Sequence, residues 1–145
     1  MKIIRKIFNI PKDIEIDWSY PKLISTVINE KELFNWGIYQ ITTKTNEIDD
    51  LLYIGKAWLN FNDRIKDHNK KWLDFYDGDK YVRLGRLNTK VKEKELLEIE
   101  SAIIFELKPI QNIKSTQTYS PSDEYDIYSI GYRGQVPKLI KTKEH

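Results

Sequence analysis

Trp36–Gly55 reads WGIYQITTKTNEIDDLLYIG. Two runs rich in β-branched and aromatic residues, Trp36–Thr43 and Leu51–Gly55, are separated by the turn formers of Lys44–Asp50. That is the pattern of a β-hairpin. The pleat has period two, so Tyr39, Ile41 and Thr43 are expected on one face of the first strand, and Leu51, Tyr53 and Gly55 on one face of the second. If Thr43 pairs near Leu51, Tyr39 and Tyr53 become diagonal neighbours on a shared face. Such a pair is either aromatic packing or the floor of a site, and the rest of the chain has to decide which.

Beyond the hairpin, Ala57–Leu73 has helical periodicity, with Asn60 or Asn62 as cap. Phe61, Ile65, His68 and Trp72 fall on one stripe with Arg64 at its edge. Tyr81–Leu87 reads as a third strand, although Gly85 weakens it. Lys92–Leu107 reads as a long helix, preceded by Thr89 and followed by Pro109. The order β-β-α-β-α predicts an α+β fold, a small sheet built on the hairpin and third strand and flanked by helices.

The flanks of this core, Met1–Asn35 and Lys114–His145, read as extensions of a single domain spanning residues 1–145. In the first, a strand is expected over Lys2–Ile10, ended by Pro11, and a short helix over Ser25–Phe34 capped by Ser25. In the second, Ile113–Ser120 and Tyr125–Tyr132 look extended, and Tyr119, Tyr125, Tyr128 and Tyr132 suit a strand pair closing the sheet. From Arg133 to His145 the tail is basic and expected to fray at its end. Its Arg133, Lys138, Lys141 and Lys143 are candidate phosphate contacts, with a solvated tail as the alternative.

At 145 residues with 40% apolar and 32% charged content, the chain can bury a core beneath a heavily charged surface. It has no cysteine, which excludes disulfides, thiolate metal sites and a cysteine nucleophile. No apolar run reaches the length of a membrane span, and MKIIRKIFNIPKD lacks the features of a signal peptide. A cytoplasmic location is therefore expected. The net charge of +2 permits nucleic-acid binding without arguing for it.

Glu100 is the most telling single residue. Leu96, Leu97, Ile103, Ile104 and Leu107 are expected to share the buried face of the long helix, and Glu100 sits among them. Glu95, Glu98 and Glu106 fall on the opposite, solvated side. A carboxylate in an apolar stripe costs several kcal/mol unless paired, protonated or bound to a metal. A structural ion pair with Arg64 or Arg83 is one reading. The sharper one is an acid/base group, or an oxygen ligand for a hard cation such as Mg²⁺. Arg64 and His68 lie one helical turn apart, and arginine's planar fork suits a phosphate oxygen. Lys56 adds charge at the end of the second hairpin strand, or is simply a surface lysine. Gly37 and Gly55 mark close approach or bending of the backbone, and Asn112 suits bracing of the turn after Pro109.

In order, Gly37-Ile38-Tyr39, Tyr53-Ile54-Gly55, Arg64, His68, Glu100, Pro109 and Asn112 resemble the GIY-YIG nuclease family, from Trp36 to about Ile113. The tripeptides are weak singly; the ordered set with its spacing is specific, and no catalytic position departs from it. The resemblance implies a metal-dependent endonuclease that hydrolyses DNA to 5′-phosphate and 3′-hydroxyl ends, with RNA not excluded. It implies one Mg²⁺ or Mn²⁺ held by Glu100, the phosphate held by Arg64, and Tyr39, Tyr53 or His68 activating water, with the choice among the three left open. Lys56 and Asn112 are assigned to phosphate binding or support. The absence of appended DNA-binding modules suits a compact restriction-type or phage or bacterial enzyme, acting as a monomer, a homodimer or with a partner subunit. The rival from another class is a non-catalytic module that binds nucleic acid or protein through the same fold.

Overall fold

The computed structural model describes residues 10–30, 34–45, 48–112 and 123–142. Its elements run β1 (Lys12–Trp18), β2 (Lys22–Leu23), α1 (Ile24–Val27), β3 (Trp36–Thr45), β4 (Ile48–Trp58), α2 (Phe61–Lys71), a 3₁₀ turn (Leu73–Phe75), β5 (Asp79–Leu87), α3 (Glu93–Leu107), β6 (Tyr125–Gly131) and β7 (Leu139–Lys141). The fold is α+β, a mixed sheet flanked by helices. Strand order is β4-β3-β5-β1-β6-β7, with β2 paired to β5. All pairings are antiparallel except β1 with β6.

The hairpin forms, but its strands run to Thr45 and from Ile48 to Trp58, through most of the expected Lys44–Asp50 turn, and the second carries a bulge. Tyr39 pairs with Gly55, Ile41 with Tyr53 and Thr42 with Leu51, so Leu52 is the extra residue of a bulge. A bulge resets the alternation. Leu51 consequently turns to the opposite face from Tyr53 and packs with Ile38 and Ile54, while Leu52 joins Tyr39 and Ile41. Tyr39 and Tyr53 remain diagonal neighbours, ring centroids 6.0 Å apart.

The sheet separates two apolar layers. On one face, Ile14, Ile16 and Trp18 of β1, Tyr125 and Ile127 of β6, and Ile38 and Ile54 of the hairpin pack beneath Leu96, Ile99, Ala102 and Ile103 of α3. On the other, Tyr39, Ile41, Val82 and Leu84 pack with Phe61 and Ile65 of α2 and with Ile24 and Val27 of α1. α3 therefore buries Ile99 and leaves Leu97 exposed, which shifts the predicted stripe around the helix, and Glu100 still falls between Leu96 and Ile104. Glu95 and Glu98 are half-buried rather than solvated, bonded to Lys12 Nζ at 2.8 Å and Tyr125 Oη at 2.7 Å.

The extensions depart most from expectation. β1, which begins just after Pro11, was not expected; the strand expected over Lys2–Ile10 lies, but for Ile10, outside the described residues. α1 is one turn only, because Asn29 and Glu30 donate to Thr26 and Val27 in i→i−3 bonds that tighten and end it. Ser25 lies inside that turn and caps nothing. α2 starts at Phe61, not Ala57: β4 continues to Trp58, and Leu59 takes a positive φ of 67° that no helix accommodates. The tail is structured through Thr142, and the end expected to fray, residues 143–145, lies outside the described residues. β7 pairs with β6, Val136 and Ile140 are buried, and Thr142 Oγ1 accepts the Tyr125 amide at 2.8 Å. Residues 113–120, with Tyr119, and Lys143 fall outside the described residues.

Candidate active site

The two hairpin glycines shape the floor. Gly37 has φ +151°, and a Cβ there would run into the Gly85 carbonyl oxygen and the Phe34 ring. A Cβ on Gly55 would meet both tyrosine rings, 2.5 Å from Tyr39 Oη and 2.7 Å from Tyr53 Cε2. The Tyr39 phenol therefore lies across bare backbone, which only glycine leaves open.

α2 covers these rings. Phe61 and Ile65 anchor it, and the same spacing brings Arg64 and His68 onto the tyrosines. Arg64 Nε donates to Tyr39 Oη at 3.3 Å and its Nη2 to Tyr53 Oη at 3.2 Å. His68 Nε2 lies 2.9 Å from Tyr39 Oη, and His68 Nδ1 accepts the indole N–H of Trp72 at 2.9 Å. Tyr53 stacks against His68 at 4.4 Å between centroids. Trp72 was legible only as a stripe residue; its i+4 spacing from His68 was the signal of this bond.

Glu100 and Asn112 arrive on the edge of the sheet. β4 is the terminal strand, so its outward backbone groups need partners from elsewhere. Asn112 supplies both for Ile54, and two residues on, where the same edge is exposed again, the Lys56 amide is set toward the Glu100 carboxylate and favours its charged form. Asn112 is thus occupied with bracing β4. Arg83, one of the two suggested ion-pair partners of Glu100, instead pairs with Asp49 at 3.0 Å and donates to Thr42 Oγ1 at 3.2 Å. Among the described residues, Glu100 has no ion pair within 4.0 Å.

The electrostatics follow from burial. Burial pushes the Glu100 carboxyl up to about 7, against the pull of the Lys56 and Arg64 charges and the Lys56 amide. Burial and the neighbouring Arg64 charge hold His68 down at about 4. Both tyrosines are raised, chiefly by burial, despite the opposing pull of Arg64. Burial alone would lower Arg64, yet its contacts with Tyr39 and Tyr53 raise it further, and it is a cation throughout. Arg64 alone does not bring a phenol toward neutrality.

The GIY-YIG catalytic domain model matches residues 35–119, more than half of the chain. The chain belongs to the GIY-YIG family. No curated protein and no solved structure matches it. The GIY-YIG core thus comprises β3, β4, α2, β5 and α3, and it carries Tyr39, Tyr53, Arg64, His68, Glu100, Lys56 and Asn112, all seven residues singled out from the sequence. The basic residues of the tail lie elsewhere. Arg133 donates to the Val136 carbonyl at 2.8 Å, and Lys141 sits on β7, five strands from the edge that bears Glu100. No helix among the described residues is long and apolar enough to cross a membrane.

Glu100 fits a single hard cation. It is an oxygen donor kept from full solvation, beside two fixed positive charges that favour a phosphate in the same place. Among the described residues, no group of three or more His, Cys, Asp or Glu side chains is placed to hold a metal. A cation here would therefore take most of its shell from water and phosphate oxygens, which suits Mg²⁺.

Proposed function

We propose that the protein is a metal-dependent endonuclease that hydrolyses phosphodiesters in DNA, leaving 5′-phosphate and 3′-hydroxyl ends. The observation that carries this reading is the half-buried Glu100, held at the sheet edge by a backbone amide and facing a floor of two tyrosines bridged by Arg64. A module that only binds has no need of an incompletely paired carboxylate there. Glu100 is the protein ligand for one Mg²⁺ or Mn²⁺, which when bound neutralises the phosphate and the leaving oxygen.

The chain's own groups do the rest. Arg64 holds the scissile phosphate and meets the charge that grows on it. The two phenols orient the attacking water, Tyr53 being the less buried of the pair. Lys56 adds positive charge beside Glu100, and Asn112 fixes the strand that carries Tyr53 and Lys56. The cysteine-free composition suits a cytoplasmic enzyme. With one such site per chain, a double-strand break takes two chains or two successive nicks.

The test is nicking of supercoiled plasmid with Mg²⁺ or Mn²⁺, extended to branched and single-stranded DNA and to RNA. Metal-dependent nicking by the native chain, lost in Glu100→Ala and Arg64→Ala proteins that still melt cooperatively, supports the reading. No cleavage of any of these substrates leaves the binding-module alternative in its place.

A further inference from the structure

Trp72 has no part in the proposal above, yet its indole N–H is committed to a ring nitrogen of the catalytic floor. An indole nitrogen only donates, so His68 Nδ1, 2.9 Å away, must carry a lone pair. A neutral imidazole has one N–H, which then lies on Nε2 and points at Tyr39 Oη, also at 2.9 Å. We propose that Trp72 is a positioning residue that locks His68 in its Nε2–H tautomer, making His68 a hydrogen-bond donor to Tyr39 and not an acceptor of its proton.

The direction of every other bond on the floor follows. Tyr39 Oη accepts from His68 Nε2–H and from Arg64 Nε–H. Its own hydrogen is therefore free to turn away from both donors. Tyr53 Oη accepts from Arg64 Nη2. The donors thus run from Trp72 through His68 to Tyr39. For His68 to receive the Tyr39 proton, it would first have to place a hydrogen on Nδ1, donor against donor with the indole. Among the described residues, His68 Nδ1 has no hydrogen bond other than that from Trp72, and Asp67, the carboxylate nearest in sequence, is paired with Lys71 at 3.1 Å.

The catalytic meaning of this lock rests on the nuclease reading; its test does not. The chain has two histidines, His68 and His145, so a ¹⁵N-labelled His145→Gln protein shows one imidazole. Long-range proton–nitrogen correlation at pH 7 should give the Nε2–H pattern. An Nδ1–H pattern, or an even mixture, overturns the proposal without recourse to any substitution at Trp72. Trp72→Phe keeps a ring in place and removes the donor. In that variant the tautomers should mix and the metal-dependent nicking rate should fall about tenfold, the worth of one hydrogen bond. A folded Trp72→Phe protein that keeps the pure Nε2–H form also overturns the lock. A pure Nε2–H form in a wild-type protein that cleaves nothing supports the lock and counts against the nuclease reading alone.

Discussion

Asn112 closes both backbone hydrogen bonds of Ile54, accepting from its amide and donating to its carbonyl oxygen, each at 2.9 Å. One side chain thus imitates the missing neighbour strand at the point where β4 carries Tyr53 and Gly55. Replacing Asn112 by Ala strands two buried backbone groups, and about 2–4 kcal/mol of stability should go with them. Urea unfolding measures this directly. A loss within experimental scatter would show that the brace is decorative.

Glu100 and His68 make opposite contributions to stability against pH. Glu100 is ordinarily at 4.5 and stands at about 7 in the fold. Between those values the folded state keeps a proton that the unfolded chain has lost, so its contribution falls as pH rises. His68 is ordinarily at 6.5 and stands at about 4; its contribution is full above 6.5 and is lost as pH falls toward 4. The two largely offset each other in the metal-free native protein. Glu100→Gln should leave the rising histidine slope exposed, with a gain on the order of 2 kcal/mol at pH 7. Thermal melts at half-unit steps from pH 4.5 to 7.5 would show it, and parallel curves for the two proteins would contradict it.

Arg64→Lys preserves charge and removes the fork. An ammonium cannot reproduce the planar pair of donors that serves both Tyr39 and Tyr53. The nicking rate should fall by about a hundredfold or more, while the melting temperature moves only a few degrees, because the residue is half-exposed. Near-native activity would mean that charge alone suffices at this position.

Gly55→Ala places a methyl group where the Tyr39 ring lies. The ring is fully buried between α2 and the sheet and has nowhere to retreat, so the variant should lose about 1–3 kcal/mol through overpacking and most of its nicking activity. Tyr39→Leu in the same background removes the nearer of the two obstructing rings and should restore part of the stability without restoring cleavage. Failure of that rescue would place the strain elsewhere.

The core was legible because its local signals agree with its tertiary ones. Alternation and turn formers gave the hairpin, and a carboxylate within an apolar helical face gave Glu100. The bulge at Leu52 was not, since one extra residue in a pleat has no signature in a run as uniform as LLYIG. Asn112 was expected to brace a turn and instead braces a strand 58 residues away, a partner that no local pattern specifies. β1 does carry a local signature: Ile14, Ile16 and Trp18 alternate strictly with Asp13, Glu15 and Asp17, the pattern of a half-buried strand.

The parallel pairing of β1 with β6 has a kinetic consequence. Lys12 faces Tyr125 and Trp18 faces Gly131, partners 113 residues apart in the chain, and among the described residues β1 alone bridges β5 and β6. β6 and β7 cannot join the sheet until β1 has been laid against the catalytic half. Closing so long a loop is slow. Refolding should therefore show early protection in β3, β4 and β5 and late protection in β1 and β6. During that interval the exposed edge of β5 is the part of the protein most open to mispairing.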